Sequence, residues 1–333
     1  MKRLLMTVVL LVGGSALASA QSPAPTTNAL ELLKAPAILT VTSEKVLNVP
    51  AFGFFGPAQS DQEGAVFIHP APFQEVNILK ISPSSDTVAY KVTDAEAQNV
   101  SYYDYGVTPG GTVWALVSVL GSPELRAIQF GSDGEMKDPV SLQAPPDVQV
   151  NRFLALETGT LLASGFYTEK AVEKLRGHPF LGIFDSSGKL LRDLGEGLSP
   201  VDLAKVGKGP RRGGCVAGDD GNAYFLDENE ILVVSPGGEI AKRVPFKPPS
   251  PDLTTDGLYV SKGQAAIRLT RVHSDHRIEV NFLVMDLTTG RALGWYAPPT
   301  GAGYSDVGFS PDEGFTFFAN EQGKIKLVKA ALR

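Results

Sequence analysis

The stretch GIFDSSGKLLRDLG, residues Gly182 to Gly195, decides the fold of this chain. An apolar run leads into Asp185-Ser-Ser-Gly188, and a second apolar run leaves it. Asp and Ser hydrogen-bond to their own backbone in turns, and glycine adopts a positive φ without steric cost, so the pattern predicts a β-hairpin. Whether this hairpin stands alone or is one copy of a repeat decides the architecture.

The hairpin belongs to a repeat in which two kinds of turn alternate. Turns of the first kind occur at Ser132-Asp133-Gly134, Ser187-Gly188, Pro236-Gly237-Gly238 and Thr288-Thr289-Gly290, with the glycine-free Ser84-Ser85-Asp86 in the equivalent place. Turns of the second kind occur at Glu63-Gly64, Gly110-Gly111, Thr158-Gly159, Asp220-Gly221, Lys262-Gly263 and Glu313-Gly314. Both series have a period of about 50 residues, which predicts a repeating unit of four antiparallel strands, A to D.

Six turns of the second kind predict six units, and units of this size stack radially into an all-β, six-bladed β-propeller. A β-sandwich is the alternative, but it does not need a repeat. The last unit reaches Arg333 after three strands, whereas the strand-like segment AILTVTSEKVLNVP near the N-terminus has no partner hairpin. We therefore expect this N-terminal strand to close the ring, so that no sheet edge is left open. The propeller domain is predicted to span residues 37–333.

The N-terminus has the pattern of a secretory signal peptide, residues 1–20. Lys2 and Arg3 precede the apolar run Leu4 to Val12, and Ala18-Ser19-Ala20 is a small-residue cleavage site. A buried first helix is the alternative. Residues 21–36, rich in Pro, Ala and Thr, are predicted to be a flexible lead-in. The expected location is the periplasm or the outside of the cell.

Composition narrows the possible partners. The formal net charge of −6 argues against binding of nucleic acid or anionic lipid. No later apolar run is long enough to insert into a membrane. Cys215 is the only cysteine, so an internal disulfide is excluded and stability has to come from an apolar core. We expect a monomer whose partner is an unknown protein or a polar small molecule.

Three runs resemble blades of a known group. FLGIFDSSGKLLRDLG, CVAGDDGNAYFLDENEILVVSPGGEIAKRV and VGFSPDEGFTFFANEQGKIKLV are similar to blades of the six-bladed propellers of the NHL-repeat and TolB-like group. This resemblance covers most of the chain after the predicted signal peptide. It implies the fold, but the group includes binding scaffolds, lactonase-like enzymes and lyases, so it does not imply one activity.

Motifs for chemistry are weak. His273-Ser-Asp-His276 offers too few ligands for zinc, and no catalytic residue, metal or cofactor is assigned. Cys215 precedes an apolar strand and is interpreted as a small buried side chain. The segment Thr168–Gly177 (TEKAVEKLRG) has the pattern of a helical insert of two or three turns.

Geometry suggests where a site would lie. In an antiparallel blade the B–C and D–A loops share one face, and the A–B and C–D turns share the other. The four histidines, His69, His178, His273 and His276, all map to B–C loops. The candidate ligand-binding residues of this face are Tyr103, Asp104, Asn151, Arg152, Arg211, Arg212, His178, His273 and Asp306. Arg152 and Arg212 are predicted to converge with Asp104 and Asp306 at the channel mouth, although simple solvated loops would show the same residues.

The sequence therefore favours an exported propeller that acts as a binding or interaction module through this face. A lactonase-like or lyase-like enzyme using the channel mouth is the main alternative, so the question of catalysis stays open. A sensor or partner domain in a cell-envelope complex is a third interpretation.

Overall fold

The computed structural model describes residues 35–47, 49, 53–71, 76–93, 100–119, 121–122, 124–199, 214–300 and 304–332. The predicted signal peptide and nearly all of the predicted lead-in lie outside these residues. No helix in the described residues is both long enough and apolar enough to cross a membrane.

The described strands form six antiparallel blades, which confirms the predicted propeller. The N-terminal strands are β1 (Ala37–Ile38) and β2 (Thr40–Val46). Blade 1 contains β3 (Gly53–Ser60), β4 (Val66–Ala71), β5 (Ile78–Ile81) and β6 (Thr87–Tyr90). Blade 2 contains β7 (Val100–Val107), β8 (Val113–Val119), β9 (Leu125–Gln129) and β10 (Val140–Leu142). Blade 3 contains β11 (Val148–Ala155), β12 (Leu161–Tyr167), β13 (Pro179–Phe184) and β14 (Leu190–Asp193).

The second half of the ring repeats this plan. Blade 4 contains β15 (Cys215–Ala217), β16 (Ala223–Asp227), β17 (Glu230–Val234) and β18 (Ile240–Pro245). Blade 5 contains β19 (Thr254–Ser261), β20 (Gln264–Val272), β21 (Ile278–Asp286) and β22 (Ala292–Ala297). Blade 6 takes β23 (Tyr304–Ser310), β24 (Gly314–Glu321) and β25 (Lys324–Ala331) from the end of the chain and β2 from its beginning.

The middle strands of the blades are apolar on both faces. In β13 and β17 every residue after the first is buried, whereas most of the outer strand β14 is exposed. This pattern follows from radial stacking, since each blade is covered on both sides by its neighbours. Among the described residues, six apolar clusters lie between the blades, one for each adjacent pair, including the pair formed by blades 6 and 1. The core is therefore a closed ring.

The N-terminal strand closes the ring as predicted. β2 pairs antiparallel with β25, with Thr40 opposite Ala331, while β1 pairs parallel with β22 of blade 5. Leu39 is buried in the cluster between blades 5 and 6, and Leu47 is buried in the cluster between blades 6 and 1. One short segment thus joins three blades.

The predicted helical insert is wrong in its extent. Thr168–Gly177 contains only a single 3-10 turn at Glu173–Leu175. The backbone amides of Tyr167 and Gly177 bond to the carbonyls of His178 and Tyr167, both at 2.9 Å, which holds the two ends of the insert together. A connection this short forms too few helical hydrogen bonds to offset the free-energy cost of nucleating a longer helix.

A serine occupies a glycine position in blade 1. The turn glycines of the first series, Gly134, Gly188, Gly238 and Gly290, have positive φ, and Ser85 in the equivalent turn has a φ of 81°. The Ser85 hydroxyl is also enclosed without a hydrogen-bond partner in the described part of the chain. This residue therefore carries two unfavourable contributions, a left-handed backbone and an unsatisfied polar atom.

We expect Ser85→Gly to raise the free energy of unfolding by about 1 kcal/mol, after the lost flexibility of glycine is subtracted. Ser84→Gly is the matched control, since the Ser84 hydroxyl donates to Asp86 at 2.5 Å. That control should be destabilised. Urea denaturation measures both variants, and a loss of stability in Ser85→Gly would contradict the explanation.

Candidate functional site

The inner strands surround the central axis without forming one continuous sheet. Each inner strand lies against the inner strands of both neighbours, but the blades are separate hydrogen-bonded sheets. Side chains make the connections instead. The Gln59 amide donates to the Tyr105 carbonyl at 2.7 Å and accepts from the Val107 amide at 2.8 Å, which links blades 1 and 2.

Five of the six described inner strands depart from regular pairing: β3 is irregular between Phe55 and Gln59, and four others carry a bulge of one residue in their first half or at their middle. The register slips by one residue at Tyr103 in β7, Asn151 in β11, Asp256 in β19 and Val307 in β23. A bulge turns a side chain away from the regular alternation of the strand, and bulges are enriched beside binding sites. Polar or aromatic side chains occupy three of these bulges.

A first pair of charges lies between blades 2 and 3. Asp104 and Arg152 are both buried, and the Asp104 Oδ2 accepts from the Phe153 amide at 3.0 Å. Both charges act on the Cys215 thiol of blade 4. Buried charges of opposite sign in one place offset part of each other's desolvation cost.

Cys215 is unsuited to nucleophilic attack in this setting. Burial raises the pKa of its thiol to about 12, and the negative charge of Asp104 adds to the effect, while Arg152 opposes it. The thiol is therefore neutral at physiological pH, and the thiolate is the nucleophilic form. The residue as a whole is half-buried rather than buried, which differs from the interpretation of Cys215 as a small buried side chain, and its sulfur lies 3.9 Å from the Phe153 carbonyl oxygen.

A second charged cluster lies between blades 5 and 6. The Arg268 Nη1 donates to Asp256 at 2.5 Å, and its Nε donates to Asp306 at 3.0 Å. The Tyr259 hydroxyl donates to the Asp306 Oδ2 at 2.7 Å. Burial raises the pKa of Asp256 despite the nearby Arg268, and burial together with Asp306 raises the pKa of Tyr259 well above its usual value.

The proposed convergence is only partly visible. Asp104 and Arg152 lie together, whereas Asp306 pairs with Arg268 in the second cluster. Arg211 and Arg212 lie outside the described residues. At the bulges, Tyr103 is 39% exposed and Asn151 is half-buried, so both side chains are accessible.

The histidines lie farther out on the blades. His178 and His276 are exposed in B–C connections, and His273 is half-buried there, with its Nε2 3.1 Å from Glu279. The prediction that all four histidines lie in B–C loops is wrong for His69, which lies within β4. The His69 ring stacks on the Tyr102 ring, with the two ring centroids 4.6 Å apart. The A–B pairing of blade 1 extends past His69, because Phe55 of β3 pairs with it.

Asp256 and Arg268 were missed by the sequence analysis. Asp256 lies near the start of its inner strand, as Asp306 does in the next blade, so the same positional argument could have found it. Arg268 lies in the middle of an apolar strand and carries no sequence signal of its role. Within the described ranges, no group of three or more His, Cys, Asp or Glu side chains could hold a metal ion.

Comparison with known proteins supports the fold. No protein-family model and no curated protein matches the chain. A luciferin-regenerating enzyme is 10% identical, with a TM-score of 0.50 over 87% of this chain and 95% of that one. At this identity the similarity shows the fold alone.

Two further solved structures are similar at a lower score. A protein provisionally described as a gluconolactonase is 14% identical, with a TM-score of 0.48 over 89% of this chain and 95% of that one. The PQQ-bound aldose sugar dehydrogenase of Streptomyces coelicolor is 11% identical, with a TM-score of 0.46 over 88% and 100%.

Proposed function

We propose that this protein is an exported binding module of the NHL-repeat and TolB-like kind, which receives a polar ligand or a partner loop at the B–C end of its channel. The bulges of the inner strands carry this proposal. They lie at Tyr103, Asn151 and Asp256 on the inner strands of three different blades, and the Asp256 carboxylate pairs with Arg268. A rigid scaffold with a few convergent polar groups is typical of a binding site.

Binding accounts for the chemistry of the wall better than catalysis does. Asp104, Asp306 and Arg268 are engaged in hydrogen bonds or ion pairs, and the Cys215 thiol is neutral. A lactonase-like or lyase-like enzyme requires a free acid, base or nucleophile aimed at a substrate. Groups that hold each other in place instead favour a preformed surface for recognition.

A photo-crosslinker placed at Tyr103 tests the proposal. We expect benzoylphenylalanine at this position to form an adduct when the exported protein is irradiated in intact cells. Intact-mass spectrometry detects a captured protein and a captured small molecule alike. Leu191, which is 52% exposed on the outer strand β14, is the matched control and should remain unmodified. Equal labelling at both positions, or none at Tyr103, would contradict a site at the channel mouth.

A further inference from the structure

Two adjacent tyrosines lie at the bulge of β7, and their surroundings differ. Val107 and Tyr105 are buried in the cluster between blades 1 and 2. In a regular strand alternate residues share one face, so Tyr103 would be the next residue on this side. The register shift between Tyr102 and Asp104 changes that order. Tyr102 packs against the cluster instead, and Tyr103 is left 39% exposed.

Blade 3 has the same shift, but there the polarity of the side chains decides its outcome. Phe153 and Ala155 are buried in the cluster between blades 2 and 3, and the next residue of β11 in that cluster is Val150 rather than Asn151. An apolar side chain gains more from burial than an amide, which needs hydrogen-bond partners. In blade 2 both candidates are tyrosines, so polarity does not decide which of them is exposed.

A contact from blade 1 distinguishes the two tyrosines. The His69 ring stacks on the Tyr102 ring, with the planes inclined by 15°. His69 lies two residues after Phe67 on β4, so both side chains lie on the side of the strand that faces this cluster. The His69 Nδ1 donates to the Asn77 carbonyl at 2.5 Å, which fixes the plane of the imidazole ring.

We propose that His69 is a positioning residue of the binding site, because its stack holds Tyr102 against blade 1 and thereby leaves Tyr103 exposed. This inference rests on the proposed function, in which Tyr103 belongs to the site. Without the stack either tyrosine can take the inner place, since a one-residue shift of the bulge exchanges them. His69 thus acts on the site through Tyr102, from the neighbouring blade.

Nitration of the two tyrosines by tetranitromethane measures which of them is exposed. The reagent attacks the phenolate form, and tandem mass spectrometry assigns the nitro group to one residue of an adjacent pair. Burial raises the pKa of Tyr102 well above its usual value, and the charge of Asp104 adds to the effect. We expect Tyr103 to be nitrated at least ~10-fold more than Tyr102 in the unmodified protein, since one unit of pKa changes the phenolate fraction by that factor.

Variants at position 69 test the role of the stack. His69→Ala should reduce the preference for Tyr103 to about threefold or less, whereas His69→Phe keeps an aromatic ring and should restore it. His276→Asn is the matched control, because His276 is exposed in a B–C connection of blade 5 and asparagine tolerates its φ of 65°. This control should be nitrated like the unmodified protein. Thermal denaturation establishes that each variant is folded.

A role of His69 in packing alone would lower the thermal midpoint of His69→Ala and leave the preference for Tyr103 unchanged. That result, or a failure of His69→Phe to restore the preference, would overturn the positioning role. The benzoylphenylalanine adduct at position 103 tests the proposed function separately, because nitration needs no ligand. If the preference follows the ring at position 69 while no adduct forms, His69 still positions Tyr103 and it is the proposed binding site that is wrong.

Discussion

Deletion of residues 37–47 is expected to unfold the ring or to make the protein associate with itself. The deletion removes the partner of β25 and leaves a strand edge of eight residues open for pairing with another chain. It also removes Leu39 and Leu47, each 3% exposed, from two clusters between blades. Size-exclusion chromatography with light scattering and a thermal denaturation curve measure the outcome.

Point variants separate packing from strand pairing in the same segment. Leu47→Ala should lower the free energy of unfolding by about 2–5 kcal/mol, because it leaves a cavity in a packed cluster. Val46→Ala is the matched control, since the Val46 side chain is 53% exposed, and its effect should stay within about 0.5 kcal/mol. A shortened monomer with an unchanged thermal midpoint would show that the N-terminal strand does not close the ring.

The fold was predictable because its determinants are local. A turn such as Asp185-Ser-Ser-Gly188 is specified by the side chains and glycine within it, and repetition of that turn specifies the blade. The glycine is not required for the turn to form, because the equivalent turn of blade 1 has Ser85 at that position, with a φ of 81°. Closure was predictable for the related reason that an unpaired strand requires a partner.

The candidate site was less predictable because it depends on register. The register shifts at Tyr103 and Asp256 depend on how two strands pair, and no residue type in the sequence predicts them. Arg268 meets Asp306 across two blades, 38 residues apart in the chain, so no local pattern marks the pair. The position of a residue in the sequence predicts which carboxylates lie near the starts of the inner strands. Only the structure shows which cation each carboxylate pairs with.

Gly188 is expected to be among the least replaceable residues of the ring. Its φ is 82°, and an added Cβ would overlap the Ser141 carbonyl oxygen on the outer strand of the preceding blade. The Gly188 carbonyl in turn accepts from the Gln143 amide at 2.8 Å. This glycine therefore serves both the turn and the contact between blades 2 and 3. We expect Gly188→Ala to cost about 2–5 kcal/mol, the sum of a left-handed backbone and an overpacked contact.

Gly221→Ala isolates the two contributions to that cost. Gly221 also has a φ of 82°, but nothing lies within 4 Å of an added Cβ. Gly221→Ala should therefore lower the free energy of unfolding by the backbone contribution alone, about 1–2 kcal/mol. The difference between the two variants, measured by urea denaturation, is then the free energy of close approach between neighbouring blades. Equal losses would mean that the repeated glycine serves only its own turn, and that the spacing between blades is set by the apolar clusters instead.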